Sequence, residues 1–128
     1  MTGERHGVVA ITEARYSTLC GLPGPWLIEY RPDPIRMGEN SGDERRAVYV
    51  TITASGIACY VGRTRPQTVR RGGAAAHRIV RHRREPSKRR EWAAYWVLPL
   101  KDEPPDAVVD QLEVEVAARL VLPLRNRR

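Results

Sequence analysis

Long apolar runs, cysteines and histidines are all scarce in this 128-residue chain. No run approaches the roughly 18 apolar residues of a membrane-spanning helix, and the first residues lack the apolar stretch of a secretion signal. We therefore expect a cytoplasmic protein that does not enter a membrane. The two cysteines, Cys20 and Cys59, are predicted to be free thiols in a reducing compartment. Together with the three histidines they match no zinc-binding spacing.

Charge divides the chain into two parts. Residues 1–44 carry four Arg against seven acids, a net charge of −3, whereas residues 45–128 carry eighteen Lys and Arg against eight acids, a net charge of +10. We expect 1–44 to be an N-terminal extension of unknown role and 45–128 to be the functional domain. A domain this basic attracts polyanions, above all nucleic acid. Its densest stretch, residues 78–90, is either a nucleic-acid anchor or a solvated basic face.

Turn residues and apolar spacing predict the elements of the fold. In the extension they predict a helix over 13–20 capped by Thr12, a strand over 26–30 and then a loop. In the functional domain they predict strands over 47–53, 57–61 and 92–98, a helix over 74–84, and a helix from an Asp106 N-cap to about Leu122. The expected fold class is α/β (α+β): a small three-stranded antiparallel sheet flanked by helices in β-β-α-β-α order, with an N-terminal extension.

The predicted hairpin brings two tyrosines together. A symmetric turn around Ala54-Ser55-Gly56 pairs Tyr49 directly with Tyr60, because the same register gathers six apolar residues on one face: Val48, Val50, Ile52, Ile57, Cys59 and Val61. The two phenols then share the other face, roughly 5 Å apart at Cβ. Such a pair either stabilises the sheet or belongs to an active site.

A carboxylate interrupts the apolar face of the last predicted helix. Glu113 lies in the middle of a face formed by Val109, Val116, Ala117 and Leu120. A carboxylate directed at the core is costly unless it is paired or binds a cation. Glu113 is therefore predicted to be either a metal ligand or the partner of an arginine.

Four motifs occur in the order of one nuclease family. Ala47-Val48-Tyr49, followed eleven residues later by Tyr60-Val61-Gly62, resembles the paired motifs of the GIY-YIG nuclease superfamily. The stretch Arg78-Ile-Val-Arg-His82 resembles its Arg-x-x-x-His, the segment that begins with Leu112-Glu113 resembles the part with its metal-binding Glu, and Pro123-Leu-Arg-Asn126 resembles its terminal Pro and Asn. The resemblance spans about residues 46–127.

This resemblance implies a metal-dependent endonuclease that hydrolyses DNA phosphodiester bonds. It implies five catalytic residues, of which Glu113 would also hold Mg²⁺ or Mn²⁺: Tyr49, Tyr60, Arg78, His82 and Glu113. Arg78 would grip the scissile phosphate, and Tyr49 or Tyr60 would orient or deprotonate the attacking water once cations such as Arg63 lower its pKa. His82 would assist proton transfer or position a tyrosine.

Spacing leaves alternatives for two of these residues. Distance along the chain from Tyr60 favours Arg70 over Arg78, but Arg78 keeps a histidine at i+4 on one helical face. Glu115 has near-family spacing, but Glu113 has the inward helical position. We therefore favour Arg78 and Glu113.

DNA is the expected partner. Only residues 1–44 are left for a specificity module, so low specificity, structure-directed cleavage and a protein partner that supplies specificity are all open. The predicted nucleic-acid contacts are all cationic: Arg63, Arg70, Arg81, Lys88, Arg89 and Arg90. A competing hypothesis is a non-catalytic basic nucleic-acid-binding module with a vestigial nuclease site. It would use residues 78–90 with exposed Trp92 or Trp96 for base contacts, but it gives no reason for an inward carboxylate at Glu113.

Overall fold

The computed structural model describes residues 9–65 and 72–122 of the chain, and these form an α+β fold. One antiparallel sheet contains β1 (Ile35–Arg36), β2 (Ala47–Ile52), β3 (Ala58–Arg63) and β4 (Ala94–Pro99), in the spatial order β1-β4-β2-β3. The helices of the described residues are α1 (Glu13–Cys20), α2 (Ala74–His82), α3 (Pro86–Glu91) and α4 (Asp106–Arg119). Within the same ranges, none of these helices has the length and apolar character needed to cross a bilayer.

The predicted α+β class is confirmed, but the number and order of elements differ from the prediction. The structure adds β1, where Ile35 pairs with Tyr95 in a segment predicted to be a loop. It also adds α3, because Pro86, which predicts the end of a helix, stands at the first turn of a new one, where proline is well tolerated. The strand predicted over 26–30 is wrong: the segment makes a single bridge, between Leu27 and Leu100, after a 3₁₀ turn.

Local contacts fix where α1 and α4 begin. The Thr12 hydroxyl accepts a hydrogen bond from the Arg15 N–H at 3.2 Å, which confirms the predicted cap. The predicted cap of α4 is wrong by one residue, because Asp106 is its first helical residue. Buried Arg46 donates from Nη2 to Asp106 Oδ1 at 2.5 Å and from Nη1 to the Asp102 carbonyl at 3.1 Å. These bonds hold the loop that leads into α4.

The sheet separates two apolar cores. α1 and α4 cover one face, where their side chains pack against Val48, Val50 and Val61. α2 covers the other face, where Ile79 belongs to the same cluster as Tyr49. Residues of the predicted extension contribute to both cores: Tyr16, whose hydroxyl donates to the Val97 carbonyl at 2.6 Å, belongs to the first, and Ile35 and Met37 pack against the second. The extension is therefore packed against the predicted functional domain.

The hairpin register differs from the predicted one by two residues. Tyr49 pairs with Gly62 and Thr51 pairs with Tyr60, and a β-bulge follows Thr51. The predicted direct pairing of the two tyrosines is therefore wrong. A shift of two residues keeps every side chain on its face, so Tyr49 and Tyr60 still share one face, with ring centroids 6.4 Å apart. The bulge adds an unpaired residue, and Cys59 consequently lies in the second core instead of the predicted apolar face.

Candidate active site

Tyr49 lies across the backbone of the neighbouring strand. Its side chain is buried, and its hydroxyl oxygen is 2.5 Å from the position that a Cβ on Gly62 would occupy. Glycine is needed at position 62 because any larger side chain would collide with the phenol. Among the described residues, the Tyr49 hydroxyl has no hydrogen-bond partner of normal geometry. The Arg78 guanidinium is nevertheless close enough to interact with this hydroxyl and to oppose the rise in its pKa.

Tyr60 belongs to an aromatic cluster with His82 and Trp92. The ring centroid of Tyr60 is 5.0 Å from that of Trp92 and 5.2 Å from that of His82. The Tyr60 hydroxyl oxygen and His82 Nε2 are 3.5 Å apart, at the outer limit of a hydrogen bond. Trp92 and Trp96 are both buried, so the expectation of an exposed tryptophan for base contacts is wrong. Each tryptophan fills one of the two cores.

Arg78 and Glu113 influence the pKa values of both tyrosines. Burial raises the pKa of Tyr60 to about 12, an effect that Arg78 opposes and Glu113 reinforces. Burial also raises the pKa of Tyr49, and the neighbouring Tyr60 adds to the rise; Arg78 again opposes it and Glu113 again adds to it. Both phenols are therefore protonated at neutral pH. They can donate a hydrogen bond or orient a water, whereas deprotonation would require further positive charge beside them.

Glu113 is buried on α4 and contacts Arg63. The Arg63 Nε atom lies 3.4 Å from Glu113 Oε1 and 2.6 Å from Asp110 Oδ1. Glu113 thus makes the contact with an arginine that the sequence analysis gives as the alternative to metal binding. Arg63 faces these carboxylates, and the cation that lowers the pKa of both tyrosines is Arg78 rather than Arg63.

The residues that could hold a divalent ion are two carboxylates of α4, Glu113 and Asp110, both of which contact Arg63. Across residues 9–65 and 72–122, no three or more His, Cys, Asp or Glu side chains form a group that could hold a metal ion. Mg²⁺ does not require such a group, because it is usually held by one or two carboxylates, waters and substrate phosphate oxygens. Glu113, with Asp110 one helical turn earlier, provides carboxylates of this kind.

The remaining predicted nucleic-acid contacts differ in how exposed their side chains are. Exposed side chains on α2 and α3 include Arg81, Arg89 and Arg90. Lys88, by contrast, has a side chain that is only 24% exposed and directed into the aromatic cluster. Arg70 and the Pro123–Asn126 motif lie outside the described residues, so their roles stay predictions.

Sequence reasoning missed the residues that cap α2, the helix with the Arg-x-x-x-His motif. Glu44 Oε2 accepts from the Ala75 N–H at 3.1 Å, and the Ser41 hydroxyl accepts from the Ala76 N–H at 3.0 Å. Gly73 permits this approach, since a Cβ there would collide with both side chains. Ser41 and Glu44 have the spacing of a capping box, but they cap a helix that begins far along the chain. Spacing alone therefore could not identify their target.

Compared with protein-family models, with curated proteins and with solved structures, the chain has no match. The likeness to GIY-YIG nucleases therefore rests on the sequence motifs.

Proposed function

We propose that this protein is a metal-dependent endonuclease of the GIY-YIG type that hydrolyses DNA phosphodiester bonds. One observation carries the proposal. Tyr49 and Tyr60 share one face of the sheet with ring centroids 6.4 Å apart, and the Arg78 guanidinium on α2 and the buried Glu113 carboxylate on α4 both influence the pKa of each phenol. Phosphodiester hydrolysis needs positive charge at the phosphate and a group that orients water, and these residue types supply both.

Each residue has a role that its surroundings permit. Arg78 would bind the scissile phosphate, because a guanidinium offers parallel N–H donors and this side chain is exposed to an incoming substrate. Tyr49 or Tyr60 would orient the attacking water through its hydroxyl group. Glu113 would hold Mg²⁺ or Mn²⁺. The bound ion would neutralise charge on the phosphate and on the leaving oxygen.

The exposed arginines of α2 and α3 support DNA binding. Arg81, Arg89 and Arg90 present positive charge that can neutralise phosphates regardless of sequence. Backbone contacts of this kind carry no sequence information, which is why the proposal includes a protein partner that supplies specificity. A cytoplasmic location belongs to the same proposal.

The contact between Arg63 and Glu113 favours a second candidate function, a nucleic-acid-binding module with a vestigial nuclease site. An ion pair at 3.4 Å accounts for a buried carboxylate without a metal ion. This module would bind DNA in a salt-dependent way and would not cleave it.

The test is incubation of the pure protein with branched, single-stranded and duplex DNA, in Mg²⁺ or in EDTA. We expect cleavage with Mg²⁺ alone, loss of cleavage in Glu113→Gln, and cleavage in the matched control Glu115→Gln, whose carboxylate is half-buried on the same helix. Full activity in EDTA or in Glu113→Gln would overturn the mechanism. Loss of cleavage in Glu115→Gln alone would make Glu115 the ligand, and binding without cleavage by the unmodified protein would favour the binding module.

A second comparison distinguishes Arg78 from Arg70. Arg78→Ala should lower turnover by roughly 100-fold or more and weaken DNA binding much less, because one guanidinium on the reacting phosphate acts mainly in the transition state. Arg70→Ala should weaken binding with little effect on turnover. The reverse pattern would assign the phosphate-gripping role to Arg70.

A further inference from the structure

Lys88 differs from the other cations of the basic stretch. Its Nζ atom lies 5.2 Å from the centre of the Tyr60 ring and 5.6 Å from that of Trp92. The same atom is 3.0 Å from His82 Nδ1 and 3.5 Å from Glu85 Oε1. An ammonium group between two aromatic rings and an imidazole interacts with the aromatic cluster itself, so its role differs from that of an exposed phosphate contact.

The contact with Lys88 determines which nitrogen of His82 carries a proton. An ammonium group has three N–H donors and no acceptor, so at 3.0 Å it donates to Nδ1 of the imidazole. Nδ1 then has no proton, and the proton of the neutral ring is on Nε2. The ring is neutral at neutral pH because burial, Lys88 and Arg78 lower the pKa of His82 to about 4, against a smaller opposing effect of Glu85.

Nε2 of His82 faces the Tyr60 hydroxyl oxygen at 3.5 Å. An Nε2 that carries a proton donates to this oxygen and cannot accept the phenol's proton. We propose that Lys88 is a positioning residue that holds His82 in the tautomer protonated at Nε2, so that His82 donates to Tyr60. The Tyr60 O–H is then directed to a water or a substrate. The catalytic meaning of this arrangement rests on the proposed nuclease function, whereas the tautomer is a property of the free protein.

The tautomer is measured by ¹⁵N NMR of the labelled full chain at neutral pH, without DNA or metal ion. Nε2 couples to both ring carbon-bound protons and Nδ1 mainly to one, so the spectrum distinguishes the two nitrogens, and loss of signals in His82→Gln identifies them. We expect a protonated Nε2 and an unprotonated Nδ1. In Lys88→Met, which keeps the apolar stem and removes the ammonium, the two shifts should move toward an average of both tautomers. The matched control Arg90→Met removes an exposed charge from the same helix and should leave the His82 shifts unchanged.

A His82 protonated on Nδ1 in the unmodified protein, or a Lys88→Met spectrum with unchanged His82 shifts, would overturn the proposal. The measurement on the unmodified protein stands even if Lys88→Met does not fold, and it does not depend on whether the protein cleaves DNA. In a cleavage assay, Lys88→Met should reduce kcat by roughly 10- to 100-fold, at or below the roughly 10²- to 10⁴-fold contribution of a positioned proton-transfer group itself, with little change in KM. A rise in KM with unchanged kcat would make Lys88 a phosphate contact instead.

Discussion

Replacing Gly62 with alanine should destabilise the protein, because the added methyl group would occupy space that the Tyr49 ring fills. The new Cβ would lie 2.5 Å from the Tyr49 hydroxyl oxygen, 2.6 Å from Cζ and 3.1 Å from Cε1. Ordinary contact begins at 3.4 Å, so the ring must move by about 0.9 Å. The ring is rigid and buried, and it packs in the same core cluster as Ile79. It therefore has no solvent into which it can turn.

Overpacking of this kind typically costs about 1–3 kcal/mol, measured as the decrease in free energy of unfolding in urea. Gly21→Ala is the matched control, because its Cβ would meet one atom, the Thr18 carbonyl oxygen, at the ordinary distance of 3.4 Å. Its φ of −72° also suits alanine, so this change should be neutral or stabilising by roughly 0.4–1 kcal/mol. Equal stability of the two variants would refute the collision.

A double-mutant cycle isolates the cause. In a Tyr49→Leu background the ring atoms that meet the new methyl group are gone, so Gly62→Ala should cost less than in the unmodified protein, with a coupling energy of about 0.5–3 kcal/mol. In Tyr49→Phe most of the cost should persist, because Cζ remains 2.6 Å from the new Cβ. A cost that is the same in all three backgrounds would mean that something other than the phenol opposes a side chain at position 62.

The cap of α2, the buried imidazole and the basic surface each give a further prediction. Glu44→Ala should lower the free energy of unfolding by about 1–3 kcal/mol in urea, because it leaves the buried Ala75 N–H without its acceptor and removes one of the two carboxylates that pair with Arg31; unchanged stability would contradict the cap's importance. The pKa of His82 falls from 6.5 to about 4 on folding. Stability should therefore be greatest above pH 6.5 and decline toward pH 4, as the unfolded chain binds the proton first. His82→Gln should flatten that decline in a pH series of melts. Combined Arg89→Gln and Arg90→Gln should make the slope of log K against log salt shallower by about 0.9 for each phosphate that the variant no longer neutralises, and an unchanged slope would show that neither arginine binds a phosphate.

The elements that the sequence predicts well depend on neighbouring residues. α1 has its predicted bounds because Thr12 caps it and Gly21 follows it. The errors occur where distant segments decide the outcome. β1 exists only because residues 35–36 meet β4, and the hairpin register depends on a bulge at which one extra residue enters the ladder. The turn sequence Ala54-Ser55-Gly56 does not predict that bulge.

The candidate site was predictable to the extent that it follows from periodicity. Tyr49 and Tyr60 share a face because an even shift in register preserves the alternation of side chains, and the inward position of Glu113 follows from helical spacing. Whether each basic side chain points toward the core or toward solvent was not predictable. Within one basic stretch Lys88 turns inward while Arg89 and Arg90 are exposed, since the choice depends on where Trp92 and α2 lie after folding.

Gly62 explains how groups from two separate cores can act on one another. Arg63 alternates with Gly62 along β3 and lies on the α4 face with Glu113, whereas the tyrosines lie on the α2 face. β3 is the last strand of the sheet, and the Tyr49 hydroxyl lies over Gly62, where this strand has no side chain. Because the phenol fills the space over Gly62, a glycine at this position of the edge strand sets how near Tyr49 comes to the Arg63–Glu113 pair on the other face, and any larger residue there would displace the phenol.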